Sequence, residues 1–110
     1  MQPAELDRTF LALSDPTRRA ILQRLKAGEA RVTEIARPFE MSLNAVSKHI
    51  RVLEQARLVK RRRAGREHLL SCDPAGLAEA GSWIETQRAY WSGALDRLEA
   101  ALQEEDNPDD

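Results

Sequence analysis

Four polar or cationic side chains recur at helical spacing in the middle of the chain: Asn44, Ser47, Lys48 and Arg51. At about 100° per residue they fall on one side of a helix, with apolar residues on the other side. A side-chain amide can form two hydrogen bonds with adenine, and a cation can contact guanine or phosphate. This face could therefore read the bases of DNA, although a solvated surface helix would carry the same residue types.

A second cationic group follows in an expected β-hairpin. Strands are predicted over Leu58–Arg63 and Glu67–Cys72, joined by a turn at Ala64-Gly65-Arg66 whose glycine can adopt a positive φ. Ser42–His68 contains eight Lys/Arg against two acids, a balance of +6, although the whole chain is formally −1. The acidic segment Asp73–Asp110, at −8, offsets this excess. Such asymmetry indicates a localised anion-binding surface.

The first two helices have recognisable signals at their ends. One helix is predicted from about Ala4 to Leu13 by its apolar spacing. Asp15 and Pro16 suit the N-cap and the first position of a second helix. Gly28 would end that second helix with a left-handed residue.

The next two helices would form a helix-turn-helix. Thr33 is predicted to cap a short third helix, and Pro38 within it should keep it short or bent. Ser42 is predicted to cap the fourth helix, which continues to about Ala56 and carries the polar face described above. Followed by the hairpin, these helices predict a mainly α fold with a small β-hairpin wing, a winged helix-turn-helix.

The last helix is predicted over residues 74 to 103 and carries a long apolar stripe. Its members alternate steps of three and four residues: Leu77, Ala80, Ile84, Gln87, Trp91, Ala94, Leu98 and Ala101. A face this broad predicts a dimerisation helix, and the alternative is packing against the first helix alone. Residues 1–103 are expected to form a single domain, followed by an acidic flexible tail at 104–110.

Several separate motifs resemble those of the ArsR-type (arsenic-repressor-type) family of winged-helix transcriptional regulators. They are Asp15–Leu22, Val32–Ala36 and Met41–Glu54, followed by a wing motif over Leu58–Arg66. The resemblance covers roughly residues 6 to 102. It implies a homodimer formed by the first and last helices, with the fourth helix in the major groove of DNA.

The resemblance also implies site residues. The DNA-facing positions correspond to Ser42, Asn44, Ala45, Ser47, Lys48 and Arg51 on the fourth helix, and to Arg62, Arg63 and Arg66 on the wing. His49, at the margin of the apolar face, is included among the DNA-binding residues, and a packed, hydrogen-bonded side chain or a phosphate contact is favoured there over a metal ligand. The implied dimer interface consists of apolar residues of the first and last helices: Leu6, Phe10, Leu13, Trp83, Ile84, Trp91, Leu95 and Leu98.

Other classes of function fit the sequence less well. It contains no glycine-rich phosphate loop, no nucleophile with a paired base and no metal-ligand set, so no enzyme, catalytic residue, cofactor or metal is expected. Many members of the family sense metals through a Cys-x-Cys pair or through His and acidic clusters, whereas Cys72 is the single cysteine here. Glu40 is a second departure, because relatives often carry glycine there and a positive φ would cost a glutamate about 1 kcal/mol.

The expected function is sequence-specific repression by a homodimer that binds a roughly palindromic operator in double-stranded DNA. A dimeric module that docks a protein partner is the alternative. Whether a small-molecule inducer releases the DNA is left open by the sequence. The chain has one cysteine, no signal peptide and no apolar run that could span a membrane, so a cytoplasmic location without membrane contact is expected.

Overall fold

The computed structural model describes residues 3–105. Its elements are α1 (Pro3–Leu13), α2 (Pro16–Leu25), β1 (Ala30–Arg31), α3 (Val32–Ala36), α4 (Leu43–Gln55), β2 (Val59–Ala64), β3 (Glu67–Cys72) and α5 (Pro74–Glu105). The predicted order of helices and wing is confirmed, and β1 is an additional strand. By its internal packing the chain divides into one unit that ends at Ala80 and a second that begins at Gly81.

One side of α4 is buried in the core of the first unit. Val46, Ile50 and Leu53 are fully buried and lie at spacings of four and three residues. Ile21 of α2 and Leu70 of β3 belong to the same cluster. Burial of this stripe determines which side of α4 remains exposed, because Asn44, Lys48 and Arg51 lie on the opposite side of the helix.

The capping predictions are confirmed at α2 and α4. The Asp15 carboxylate accepts the backbone N–H of Arg18 at 3.0 Å, and Pro16 is the first helical residue. Ser42 Oγ accepts the backbone N–H of Ala45 at 3.1 Å. Each side chain satisfies a helix N–H that has no partner within its own helix.

The prediction for α3 is wrong in detail. Its N-cap is Arg31, and Thr33 lies inside the helix. Glu34 accepts the backbone N–H of Arg31 at 3.2 Å, so a carboxylate three residues later serves the start of the helix. Pro38 lies beyond the end of α3, not within it as predicted, and follows the C-cap residue Arg37.

The structure corrects one prediction about a special backbone conformation. Gly28 has a φ of 128°, but it lies three residues beyond the end of α2, whose C-cap, Lys26, is right-handed. Glu40 does not have a positive φ, which agrees with the cost that such a conformation has for a glutamate. Among the described residues other than glycine, only Arg57 has a positive φ, of 59°.

The wing is part of a three-stranded antiparallel sheet with the order β1-β3-β2. The register joins Ala64 to Glu67 across the turn, where Gly65 has a φ of 63°. On the other edge of β3, Ala30 pairs with Leu70, and both side chains are buried. The two-residue strand β1 therefore protects an edge of the hairpin and ties it to the start of α3.

Arg57 adopts the left-handed conformation at the end of α4. The backbone N–H of Arg57 donates to Glu54 O at 3.0 Å, and that of Leu58 donates to Leu53 O at 3.0 Å. These are the two hydrogen bonds of a Schellman motif, in which glycine usually occupies the left-handed position. Arg57 Nη1 also lies 3.2 Å from Glu79 Oε1.

We expect Arg57→Gly to stabilise the protein. Removing the Cβ relieves a left-handed conformation that costs a non-glycine residue about 1–2 kcal/mol, whereas the exposed ion pair with Glu79 contributes less. The free energy of unfolding from urea denaturation measures the difference. Arg57→Ala is the control, because it removes the ion pair and keeps the strain, so it should be less stable than the wild type. A glycine variant no more stable than the alanine variant would contradict the assignment of strain.

The start of α5 packs against the backbone that follows α4. The N–H of Gly76 donates to Arg57 O at 2.9 Å, and the N–H of Asp73 donates to Leu58 O at 2.9 Å. Asp73 Oδ1 in turn accepts the N–H of Ala75 at 3.0 Å. α5 continues to Glu105, two residues beyond the predicted end, and the rest of the predicted tail lies outside the described residues. None of the helices described is long and apolar enough to cross a membrane.

Candidate nucleic-acid interface

The exposed side of α4 carries the predicted polar residues. Asn44, Lys48 and Arg51 are exposed, and Ser47 is half-buried between them and the wing. Because Val46, Ile50 and Leu53 anchor the opposite side, the orientation of these side chains is fixed by the core. The interpretation of this stretch as a polar face is confirmed by the structure.

The N-terminal turn of α4 is also accessible. Ser42, Leu43 and Asn44 are all exposed, and Ala45 is half-buried. The Ser42 hydroxyl accepts a hydrogen bond from α4 itself, which leaves its own proton available to an acceptor such as a phosphate oxygen. An exposed helix N-terminus favours an anion through its unpaired N–H groups and the helix dipole.

His49 lies apart from this face, in a contact between helices. Its Nδ1 is 3.2 Å from Arg18 Nη1 and 3.8 Å from Asp15 Oδ2. A guanidinium has only donors, so the histidine nitrogen accepts this hydrogen bond. Arg18 also donates to the carbonyls of Ala12 and Leu11, each at 2.9 Å. His49 therefore belongs to a network that joins α1, α2 and α4, which corresponds to the packed alternative considered from the sequence.

The same network involves the N-cap of α2. The backbone N–H of Arg18 holds the pKa of the Asp15 carboxyl below its ordinary value, and the charge of the Arg18 guanidinium acts in the same direction. An ionised cap at this position strengthens the first turn of α2.

The arginines of β2 are divided between the two faces of the sheet. Side chains alternate along a strand, and Val59 is buried beneath the sheet, so Arg61 and Arg63 share its side while Lys60 and Arg62 share the other. Arg61 contacts Glu54 of α4, with Nη2–Oε1 and Nε–Oε2 distances of 2.8 and 3.2 Å. Strand alternation counted from the buried Val59 could have predicted that Arg61 is on the same face of the strand. The family resemblance instead indicated Arg62, Arg63 and Arg66 as the DNA-facing residues of the wing.

Arg62 forms a two-point ion pair with Glu29, just before β1. Both N–O distances are 2.7 Å. This contact holds the pKa of the Glu29 carboxyl below its ordinary value and raises that of Arg62. Arg62 thus joins the outer strand of the wing to the segment before β1, on the opposite side of the sheet from Arg61.

The cations around α4 differ in whether they already have a carboxylate partner. Arg61, Arg62 and Arg31 are paired with glutamates. Within the part of the chain that the structure describes, Lys48, Arg51 and Arg66 have no ion pair, and Arg63 donates only to the carbonyl of Gly65, at 3.1 Å. All four of these cations are among the residues predicted to contact DNA. A cation without a carboxylate nearby breaks no ion pair when it binds a phosphate.

A cleft separates α4 from the hairpin. Its volume is about 350 Å³, and its lining combines residues of α3, α4, β1 and the wing: Arg31, Val32, Thr33, Leu43, Ser47, Arg61, Arg66, Glu67 and His68. This cleft could not be predicted from the sequence, because it depends on the position of β1 beside β3.

The second unit presents an exposed apolar stripe along α5. Ile84, Trp91, Leu95 and Leu98 are between 49% and 62% exposed, and Trp83 is 45% exposed. The rings of Tyr90 and Trp91 meet edge to face with centroids 5.3 Å apart. In the first unit, the predicted interface residues of α1 are only partly exposed, whereas Leu11 is 63% exposed.

Comparison with known proteins agrees with this geometry. A family model described as a helix-turn-helix domain matches residues 13–62. The HTH-type transcriptional regulator Rv2034 of Mycobacterium tuberculosis is 44% identical over 89 residues, which span 81% of this chain and 80% of that protein. A crystal structure of an ArsR family transcriptional regulator, RHA00566, superposes with a TM-score of 0.79 at 36% identity, covering 84% of this chain and 95% of the other. The chain belongs to the ArsR-type family.

Two further proteins are similar to this chain. The transcriptional repressor SdpR of Bacillus subtilis is 34% identical over 79 residues, 72% of this chain and 88% of that protein. The homodimeric winged helix-turn-helix domain of Mb0332 from Mycobacterium bovis superposes with a TM-score of 0.61 over 86% of this chain and 84% of that one, at 23% identity, which supports the fold alone.

Membership in the ArsR-type family makes this chain a winged helix-turn-helix, DNA-binding transcriptional regulator. Regulators of this class are not typically enzymes. Among residues 3–105, no group of three or more His, Cys, Asp or Glu side chains could hold a metal ion.

Proposed function

We propose that this ArsR-type protein is a homodimeric repressor that reads a roughly palindromic DNA operator with α4. The observation that carries the proposal is the exposed polar face of α4, where Asn44, Lys48 and Arg51 have no carboxylate partner among the described residues. An α-helix fits the major groove of B-DNA, in which every base pair presents a distinct pattern of donors and acceptors.

Each part of the face has a separate role in the proposal. Asn44, in the first turn of α4, would read adenine through its amide. Lys48 and Arg51 would contact guanine or phosphate, and Ser42 with the start of α4 would hold a phosphate. Arg63 and Arg66 would bind the backbone from the wing. Arg62 is left out of this set because it lies on the opposite face of the sheet from Arg61 and Arg63, where it is bound to Glu29.

A homodimer would place two copies of α4 on one DNA. The exposed stripe on α5 supports this step, since a monomer would leave several large apolar side chains in water. Two-fold symmetric binding requires recognition helices about 34 Å apart, one turn of DNA, and a roughly palindromic site. Repression is the activity named for the relative SdpR, and the Mb0332 domain is a homodimer.

Substitutions of Asn44 and Arg63 should affect binding in different ways. Asn44→Ala is expected to reduce the preference for the operator over other DNA by about 5- to 150-fold, because a two-point contact with a base provides about 1–3 kcal/mol of discrimination. Arg63→Ala should instead weaken all sequences alike and flatten the salt dependence by about 0.9 per lost phosphate contact. Fluorescence anisotropy on the DNA upstream of its own gene and on a scrambled duplex measures both effects.

Gln55→Ala is the matched control for Asn44. Gln55 is an exposed amide at the last position of α4, far along the helix from the proposed contact. It should leave both affinity and preference unchanged. If Asn44→Ala also leaves the preference unchanged while the wild type is specific, then base reading by Asn44 is excluded.

A further inference from the structure

The cleft between α4 and the hairpin contains two arginines that the sequence did not single out. Arg31 and Arg61 both line it, together with the hydroxyl-bearing residues Thr33 and Ser47. Its volume of about 350 Å³ would hold a phosphate group with several waters, since one water occupies about 30 Å³ in the liquid. The lining residues include three arginines and one acidic residue, Glu67.

Both arginines already form ion pairs with glutamates. Arg61 forms a two-point contact with Glu54, and Arg31 contacts Glu34 at 2.8 Å and Glu67 at 3.0 Å. Arg61 is 31% exposed, compared with 61% for Arg62 on the other face of the sheet. Phosphate presents the same spacing of acceptor oxygens to a guanidinium group as a carboxylate does. A guanidinium held at the edge of the cleft by glutamate can therefore exchange this partner for a phosphate with little reorganisation.

The position of the cleft fits the path of a DNA strand. With α4 in the major groove and the wing at the adjacent minor groove, the backbone that separates the two grooves passes between them. Contacts to that backbone fix the register of a protein on the duplex without reading sequence.

We propose that this cleft holds a phosphate of the DNA backbone, bound by Arg31 and Arg61, and that Glu54 and Glu67 compete with it for the two arginines. The inference rests on the proposed function, and adds a set of backbone-positioning residues together with acids that limit affinity. The alternative is that the two ion pairs only fasten the hairpin to the rest of the fold.

Paired substitutions distinguish these roles because they predict opposite signs. If Arg61 binds phosphate, Arg61→Gln should lower affinity for the operator and for scrambled DNA alike, by about tenfold, and reduce the salt slope by about 0.9. Glu54→Gln should raise affinity for both DNAs by about two- to fivefold, because the arginine loses its competing partner. Arg31→Gln and Glu67→Gln should repeat this pattern. If the pairs only fasten the hairpin, the two members of a pair should change affinity in the same direction.

Arg88→Gln is the control for the loss of an exposed ion pair. Arg88 is bound to Glu85 on α5, in the second unit, and its removal changes the charge by the same amount. Its affinity should stay within about twofold of the wild type, and far-UV circular dichroism and sedimentation should confirm that all variants fold and assemble alike.

The remaining outcomes are also decisive. The phosphate site would be overturned if both Arg61→Gln and Glu54→Gln lowered the affinity for DNA, or if none of the four variants changed it. Specific binding by the wild type would still support the proposed function in either case. A wild type that does not prefer its operator would overturn the proposed function itself, and the inference with it.

Discussion

Replacing Leu95 and Leu98 by glutamate is expected to convert the protein to a monomer and to lower its affinity for operator DNA by about 100-fold or more. The two leucines lie at spacing i, i+3 on α5 and are 62% and 57% exposed. Since they are exposed, the substitutions should leave the fold of each subunit intact. Two carboxylates buried in an apolar dimer interface would, by contrast, remain unpaired and desolvated.

The loss of DNA affinity follows from the loss of the second binding site. A dimer that holds two recognition helices binds its second half-site at a high effective concentration, whereas a monomer does not. Light scattering after size exclusion measures the mass, and anisotropy measures the affinity. Arg97→Glu is the control, because it introduces an acid on an exposed face of the same helix, beside the stripe. A double variant that stays dimeric, or a monomer that binds as tightly as the wild type, would contradict the proposed assembly.

Gly76→Ala should strongly destabilise the first unit. A Cβ at Gly76 would collide with the carbonyl oxygen of Ala56 and lie 2.8 Å from that of Arg57. Both obstacles are backbone atoms, so neither can turn away as a side chain would. Overpacking typically costs about 1–3 kcal/mol, and the displaced helix start would also strain the hydrogen bond from Gly76 N–H to Arg57 O. At about 4–8 °C per kcal/mol for a domain of this size, a decrease in Tm of several degrees is expected.

Gly81→Ala provides the matched control on the same helix. A Cβ there has no atom within 4 Å, and alanine is favoured over glycine in a helix interior by about 1 kcal/mol. This variant should be as stable as the wild type or more stable. If Gly76→Ala melted at the wild-type temperature, the close approach of α5 to the backbone after α4 would be incorrect.

The parts of the fold predicted from the sequence are those with a local physical cause. Ser42 and Asp15 cap helices because their side chains reach N–H groups three residues ahead, and this depends on nothing distant. The polar face of α4 follows in the same way from helical geometry and the burial of Val46, Ile50 and Leu53. The bounds of β3 and the turn at Gly65 also agree with the structure, since alternation and turn chemistry are local signals.

The parts that could not be predicted depend on contacts between distant segments. A strand of two residues such as β1 has no period of its own, and it exists because Ala30 meets Leu70. The same contact brings Arg31 to Glu67, which are 36 residues apart in sequence. Arg62 likewise pairs with the distant Glu29, on the opposite face of the sheet from Arg61. From composition alone the wing arginines are equivalent. The cleft, which several distant segments line together, was not foreseen for this reason.

The proposed function requires that a specific DNA sequence bind to the face formed by α4 and the wing. Its most direct test is the anisotropy of the wild-type protein on the DNA upstream of its own gene and on a scrambled duplex, across a series of salt concentrations. We expect tighter binding to the upstream DNA by about 1,000-fold or more near physiological salt, a ratio typical of specific regulators. Equal and steeply salt-dependent binding to both duplexes would reduce the interaction to phosphate attraction and contradict specific recognition of that DNA. Absence of binding to either duplex at low salt would contradict the interface itself.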